Sequence, residues 1–190
     1  MAKSAYILGE ILLFSGRFRL TRTRASITES DGVVRELDHE IYRHGPAAAV
    51  FLYDPARAMT LLVKQFRLGA FVADGALDLI EVCAGMLDAD APDVCARREA
   101  FEETGVTLTN LAHAFDAFMS PGGLTEKISC FTASYDARDR KGLGGGVDAD
   151  EHIELIEMPF ADALAGIAQG QIRDAKTIAL IYHARATGLL

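Results

Sequence analysis

The sequence predicts an α/β fold in which a small strand-built N-terminal unit precedes a domain of alternating strands and helices. Three observations lead there. Residues 7–13, 18–28 and 32–42 are alternating or β-rich stretches. From residue 47 onward, short apolar strands alternate with segments of helical pattern. The 190 residues, 50% hydrophobic and 24% charged, suit one domain with an appendage and bury a real core.

The elements follow in order. Asp31-Gly32 supplies hairpin turn chemistry within the N-terminal unit, residues 1–44. The main domain then takes residues 45–190. Residues 47–52 and 60–65 read as apolar strands around the turn Asp54-Pro55, and 78–82 as a third. A helix runs over 92–104 and Gly105 stops it. Residues 111–117, 128–133 and 153–157 read as further strands. Helices follow over 159–170 and 175–187, the second closed by Gly188. Between strands, residues 141–151 form a Gly-rich, acidic loop that no core needs.

Nineteen basic and 27 acidic residues give a formal net charge of −8. That balance speaks against binding long nucleic acid, which draws its affinity from Lys and Arg on phosphates. It leaves room for a small phosphate ester, because a divalent metal sits between acids and phosphate oxygens. No apolar run is long enough to span a bilayer. The first ten residues hold a short apolar patch ending at Glu10, which does not make a secretion signal. Cys83, Cys95 and Cys130 are isolated and lack metal-ligand spacing. They imply buried thiols in a reducing compartment, and the expectation is a cytoplasmic protein.

The acids cluster on the helix at 92–104, in Arg98-Glu99-Ala100-Phe101-Glu102-Glu103-Thr104-Gly105-Val106. Glu99 and Glu103 lie one turn apart on one face, with Glu102 beside Glu99 at i+3. Carboxylates this close repel unless compensated. Arg98 partly offsets Glu102 at i+4, whereas Glu99 and Glu103 lack a basic partner on their face. A divalent cation at the surface suits them; a solvated acidic face is the commoner meaning of such a run. Upstream, Ala84-Gly85-Met86-Leu87-Asp88 leaves the strand at 78–82 through a glycine, exposing backbone groups beside the helix.

The stretch from Gly85 to Val106 resembles the Nudix box. Arg98, Glu99, Ala100, Glu102, Glu103, Gly105 and Val106 match every defined position of its second half. The interval from Gly85 to Arg98 is one residue shorter than the family pattern. The box glutamate therefore falls on Ala91 counted forward and on Asp90 counted back. Residues 80–88, 119–126, 144–147 and 172–177 extend the similarity over nearly the whole chain, to GDP-mannose hydrolases of the NudK type in the ADP-ribose pyrophosphatase-like branch. Pro121 resembles the proline mark of ADP-ribose pyrophosphatases.

The resemblance implies a Nudix α/β/α sandwich with a mixed sheet and an N-terminal antiparallel strand unit. It implies Mg²⁺- or Mn²⁺-dependent cleavage of a nucleotide sugar, GDP-mannose first and ADP-ribose next, to a nucleoside monophosphate and a sugar 1-phosphate. Metal ligation is implied for the Ala84 carbonyl, Glu99, Glu103 and Glu151. Catalytic roles are implied for Glu102, Glu103, Glu126 and Glu151. Substrate contacts are implied for Glu40, Arg67, Gly85, Met86, Glu126, Asp150 and Lys176. It further implies a homodimer whose exchanged N-terminal strands reach the neighbour's site, where Gly16-Arg17-Phe18 and Asp38-His39-Glu40 depart most from the NudK pattern.

Without the family, Arg67 reads as a surface charge, Lys176 as solvated and Glu126 as a turn residue. Asp148, Asp150 and Glu151 then read as an acidic loop, His113 and His183 as packed or hydrogen-bonded, and Cys95 as core. The alternative from another class is a Nudix nucleotide sensor without catalysis. Glu99, Glu102 and Glu103 speak against it, and Asp90/Ala91 at the box glutamate speaks for it.

Overall fold

The computed structural model describes residues 2–146 and 152–190. The chain forms two compact units, Met1–Pro46 with Phe118–Lys127, and Ala47–Ala117 with Ile128–Leu190. In the first, β1 (Ser4–Ser15), β2 (Arg19–Thr28) and β3 (Val34–Arg43) form an antiparallel sheet in that order. The β2–β3 turn forms where Asp31-Gly32 predicts it, with Gly32 at φ 88° and the Val33 amide donating to Asp31 Oδ1 at 3.0 Å. The register of β1 on β2 shifts between Ile7 and Gly9 and again between Leu12 and Phe14, as β-bulges do. All of β1 is exposed, including Tyr6, Ile7, Ile11, Leu12 and Phe14.

The second unit is built around β4 (Ala47–Asp54), whose unbroken apolar run suits a strand buried on both faces. β4 pairs antiparallel with β5 (Met59–Gln65) and parallel with β9 (Lys127–Ser134), so the sheet is mixed. The strand order is β10 (Glu154–Pro159), β5, β4, β9, β8 (Ala112–Phe118). Two short strands also join, β6 (Leu79–Glu81) on β5 and β7 (Cys83–Met86) on β4. Helices α1 (Leu68–Asp74), α2 (Pro92–Thr104), α3 (Phe160–Ala168) and α4 (Ala175–Thr187) complete it.

Alternation along β4 divides the helices between the sheet's faces. Ala48, Val50 and Leu52 share a core with Cys95, Ala96 and Ala100 of α2. Phe51, on the other face, meets Phe160 of α3, with ring centroids 6.1 Å apart. The result is the expected α/β/α sandwich. Among the described residues, no helix is long and apolar enough to cross a membrane.

Three elements differ from expectation. Helix α1 is unanticipated; it buries none of its residues, and Gly75 ends it in the left-handed region. Residues 83–86 do not leave the sheet as open backbone, because they pair as β7 with Ala47–Val50. Helix α3 starts at Phe160 and stops at Ala168, because Pro159 still pairs with Met59 as the end of β10.

Candidate active site

Strand β7 enters α2 through a tight turn. The Asp90 amide donates to the Leu87 carbonyl at 2.7 Å, and Asp88 sits at φ 48°, a conformation that short polar side chains tolerate. This turn accommodates the shortened box and gives its two candidate positions different surroundings. Asp90 Oδ2 accepts from Arg98 Nε at 3.1 Å, whereas Ala91 is only the N-terminal boundary residue of α2. Arg98 also donates to Glu99 Oε1 at 2.7 Å, Glu102 Oε2 at 3.2 Å and the Met86 carbonyl at 3.1 Å. The expectation that Glu99 lacks a basic partner is thus corrected: its neighbour in sequence curls back to it.

Glu103 is buried, with 4% of its surface exposed, not presented at the surface as expected. Its Oε2 accepts from the Ala84 amide at 3.3 Å. Burial, and then the charge of Glu99, push its pKa up to about 8, against the opposing pull of Arg67. The Glu99 carboxylate lies over Gly85, where a side-chain Cβ would overlap it. Glycine at 85 therefore leaves room for the Glu99 carboxylate rather than serving an unusual backbone angle. Beneath this arrangement lies Cys95, fully buried, its Sγ 3.3 Å from the Met86 carbonyl and 3.6 Å from that of Gly85. The expectation of a core thiol is met.

The Gly-rich loop is no idle insertion. An α-helix ends with carbonyls that have no partner inside it. Here Gly146 donates to the Glu102 carbonyl at 3.1 Å and Gly145 to that of Glu103 at 2.8 Å. Lys141 and Gly142 donate to the Gly105 carbonyl at 2.8 and 3.1 Å. Gly144 sits at φ 70°, and a Cβ there would overlap the Glu103 and Thr104 backbone. We expect Gly144→Ala to destabilise the protein by more than about 1 kcal/mol, read as a Tm lowered by a few degrees; an unchanged Tm would mean the loop does not cap α2. Asp150 and Glu151 lie outside the described residues.

A second cluster centres on Glu81, 1% exposed at the end of β6. Arg67 grips it with both arms, Nε to Oε1 at 2.9 Å and Nη2 to Oε2 at 3.0 Å. Lys176 Nζ reaches Glu81 Oε2 at 2.7 Å and Asp174 Oδ1 at 2.9 Å. Lys176 is consequently largely shielded, its side chain 11% exposed, not solvated, and Arg67 is not a lone surface charge. Burial favours neutral Lys176, but Glu81 and Asp174 hold its pKa above the ordinary lysine value. Glu103 feels the charges of both Arg67 and Glu81, so this cluster adjoins the acidic helix.

Glu81 escaped the sequence reading. Its signal was a carboxylate inside the apolar run Leu79-Ile80-Glu81-Val82-Cys83, a place where charges are found only when paired. Glu40 and Glu126 belong to the first unit. Glu40 stands opposite Arg22 in the sheet, and Glu126 Oε1 lies 3.2 Å from His44 Nδ1. His113 is exposed and bonds Asp116 at 3.0 Å, while His183 packs on Phe115.

Among the described residues, no three His, Cys, Asp or Glu side chains form a ready metal cage. The donor set still fits a hard divalent ion, which binds through one or two carboxylates and keeps positions for water and phosphate. Glu99 and the buried Glu103 offer two such carboxylates, and their mutual repulsion is what a cation relieves.

Together, a mixed-sheet sandwich and a strand–turn–helix with paired glutamates over a glycine define the Nudix class. The NUDIX domain family matches residues 43–181, and the chain belongs to that family. Its members generally use divalent metal ions. The chain is 42% identical over 193 residues to the GDP-mannose pyrophosphatase of Cronobacter sakazakii, with both chains covered in full. It is 40% identical over 192 residues to that of Klebsiella pneumoniae, covering all of this chain and 96% of the other. A crystal structure of an ADP compounds hydrolase matches with TM-score 0.73 at 18% identity, over 96% of this chain and 92% of that one, which is a likeness of fold.

Proposed function

We propose that this protein is a divalent-metal-dependent diphosphatase of nucleotide sugars, with GDP-mannose its foremost substrate and Mg²⁺ its metal, Mn²⁺ serving second. The products are a nucleoside monophosphate and a sugar 1-phosphate. The observation that carries this reading is the meeting of metal-suited carboxylates, Glu99 and Glu103, with phosphate-suited cations, Arg67 and Lys176, in one unit. The relatives named GDP-mannose pyrophosphatase, about 40% identical over the whole chain, supply the substrate.

Glu99, Glu103 and the Ala84 carbonyl would hold the metal, with Glu151 completing the set. When bound, the metal neutralises diphosphate oxygens and acidifies a water. The chain's own residues do the rest. Arg67 keeps its Nη1 edge unbonded among the described residues, ready for a phosphate oxygen. Lys176 is held charged beside it. Both cations are already paired, Arg67 with Glu81 and Lys176 with Glu81 and Asp174. Glu102 steadies Arg98, and Gly85 and Met86 offer backbone to the substrate. Glu40, Glu126 and Asp150 enter as substrate contacts, and one of Glu103, Glu126 and Glu151 accepts the water's proton.

The test is nucleoside-monophosphate release from GDP-mannose, ADP-ribose, other nucleotide sugars and dinucleotides, with Mg²⁺, with Mn²⁺ and with EDTA. GDP-mannose cleaved best and only with metal supports the reading. ADP-ribose cleaved best moves the substrate, and silence from folded, metal-binding protein points to a sensor.

We further propose a homodimer through residues 1–44, supported by the exposed apolar length of β1. Leu12→Asp is expected to halve the mass seen by light scattering; a wild-type monomer would end this proposal. The buried, free thiols of Cys83, Cys95 and Cys130 support a cytoplasmic setting.

A further inference from the structure

We infer that Glu81 is a positioning residue that fixes Arg67 and Lys176 as a pair for the substrate diphosphate, an inference that rests on the function proposed above. Its carboxylate is spent entirely on them. Oε1 takes Arg67 Nε, and Oε2 takes both Arg67 Nη2 and Lys176 Nζ, at 2.7–3.0 Å. The two cations come from different elements, Arg67 from the start of α1 and Lys176 from the first turn of α4. No local geometry relates them, and among the described residues Glu81 is the one that hydrogen-bonds both.

Fold economy does not require this carboxylate. The first turn of α4 closes without it, because Asp174 accepts from the Thr177 amide at 2.9 Å and hydroxyl at 2.6 Å. The strand is tied to α4 separately, by the Val82 amide donating to Thr177 Oγ1 at 2.9 Å. Asp174 also gives Lys176 a counter-charge. A buried ion pair contributes little net stability over an apolar replacement. What the two-armed contact does provide is orientation. A guanidinium held at Nε and Nη2 has its plane fixed, so the Nη1 edge is fixed too. The same carboxylate helps keep Lys176 protonated in a largely shielded position, where desolvation opposes the charge. The groups bearing on Lys176 are Glu81 from β6 and Asp174 from its own helix boundary; Arg67 and the thiol of Cys130 on β9 share the surroundings.

The experiment measures kcat and KM for GDP-mannose with Mg²⁺ between pH 7 and 10, for the full-length wild type, Glu81→Gln and Glu81→Asp. Binding of inorganic pyrophosphate with Mg²⁺ is measured on the same proteins. Glu81→Gln is expected to raise KM about tenfold or more, with kcat changed much less. Its KM should climb at a lower pH than in wild type, because Lys176 then loses its proton sooner. Glu81→Asp keeps the charge but shortens the reach, so KM rises while the alkaline limb stays at the wild-type pH. Folded variants with a lowered Tm, but wild-type KM, pH limb and pyrophosphate affinity, would overturn the inference and leave Glu81 purely structural. Should Glu81→Gln not fold, the KM and pyrophosphate affinity of Glu81→Asp decide alone. If wild type cleaves no nucleotide sugar, weaker pyrophosphate binding in the variants keeps the positioning role while the hydrolase reading falls. Equal pyrophosphate binding in all three sinks both.

Discussion

Replacing Glu103 by glutamine is expected to lower kcat roughly 10²- to 10⁴-fold and, without metal, to make the protein more stable in alkali. The two effects share one cause. Burial and the neighbouring Glu99 raise the pKa of Glu103 from 4.5 to about 8. A carboxyl with a raised folded pKa gives its full contribution to stability below the unfolded value. That contribution shrinks as pH rises, and is lost once pH passes the folded value. Metal-free wild type therefore loses stability from this group between about pH 4.5 and 8. The glutamine variant, still able to accept from the Ala84 amide, lacks that slope. Melts in EDTA at pH 5 and 9 check it: the variant should melt higher at pH 9, with the gap narrowing at pH 5. Adding Mg²⁺ should raise the wild-type Tm and leave the variant's nearly unmoved, since only a bound ligand stabilises. Parallel pH profiles, or unchanged turnover, would show that Glu103 is neither strained nor used.

Gly85→Ala is expected to separate activity from stability in the opposite sense to a core mutation. The new Cβ collides with the far end of a side chain, the Glu99 carboxylate, so the fold survives while Glu99 swings away. Loss of one ligand's placement should weaken metal affinity about 10- to 100-fold, with Tm of the metal-free protein unchanged or slightly raised, because alanine suits a strand better than glycine does. Metal titration followed by activity reads it directly. A wild-type metal response would mean Glu99 has room elsewhere and does not need that seat.

How far such a site can be read beforehand depends on how local its causes are. The face shared by Glu99 and Glu103 follows from helical spacing, and the end of α2 follows from Gly105, which the structure places at φ 75°. Those are properties of neighbouring residues. The burial of Glu103 is not, because it depends on β7 pairing with β4. Counting residues does not distinguish Asp90 from Ala91, whereas the structure shows that of the two it is the Asp90 side chain that meets Arg98, across a turn with a left-handed Asp88. The consecutive glycines at 144–146 were visible, but their partner, the end of a helix some forty residues earlier, was not. Glu81 shows the same limit: its partners lie 14 and 95 residues away in sequence. Helix α1 had apolar residues at helical spacing, Leu68, Phe71 and Val72, yet these remain exposed and so gave no core to infer.

The three buried thiols carry a practical consequence. Burial pushes the Cys95 pKa up to about 11 and that of Cys130 up to about 12, and raises Cys83 as well. None is an effective nucleophile while the chain is closed, because the thiolate is the reactive form. A bulky disulfide reagent therefore modifies them only during opening fluctuations, and its rate measures how often each region opens. Cys95 lies under the turn between β7 and α2, and Cys130 sits on β9 in the middle of the sheet. The sequence thus contains its own reporters, Cys95 for the acidic helix and Cys83 and Cys130 for the sheet, with no label to introduce.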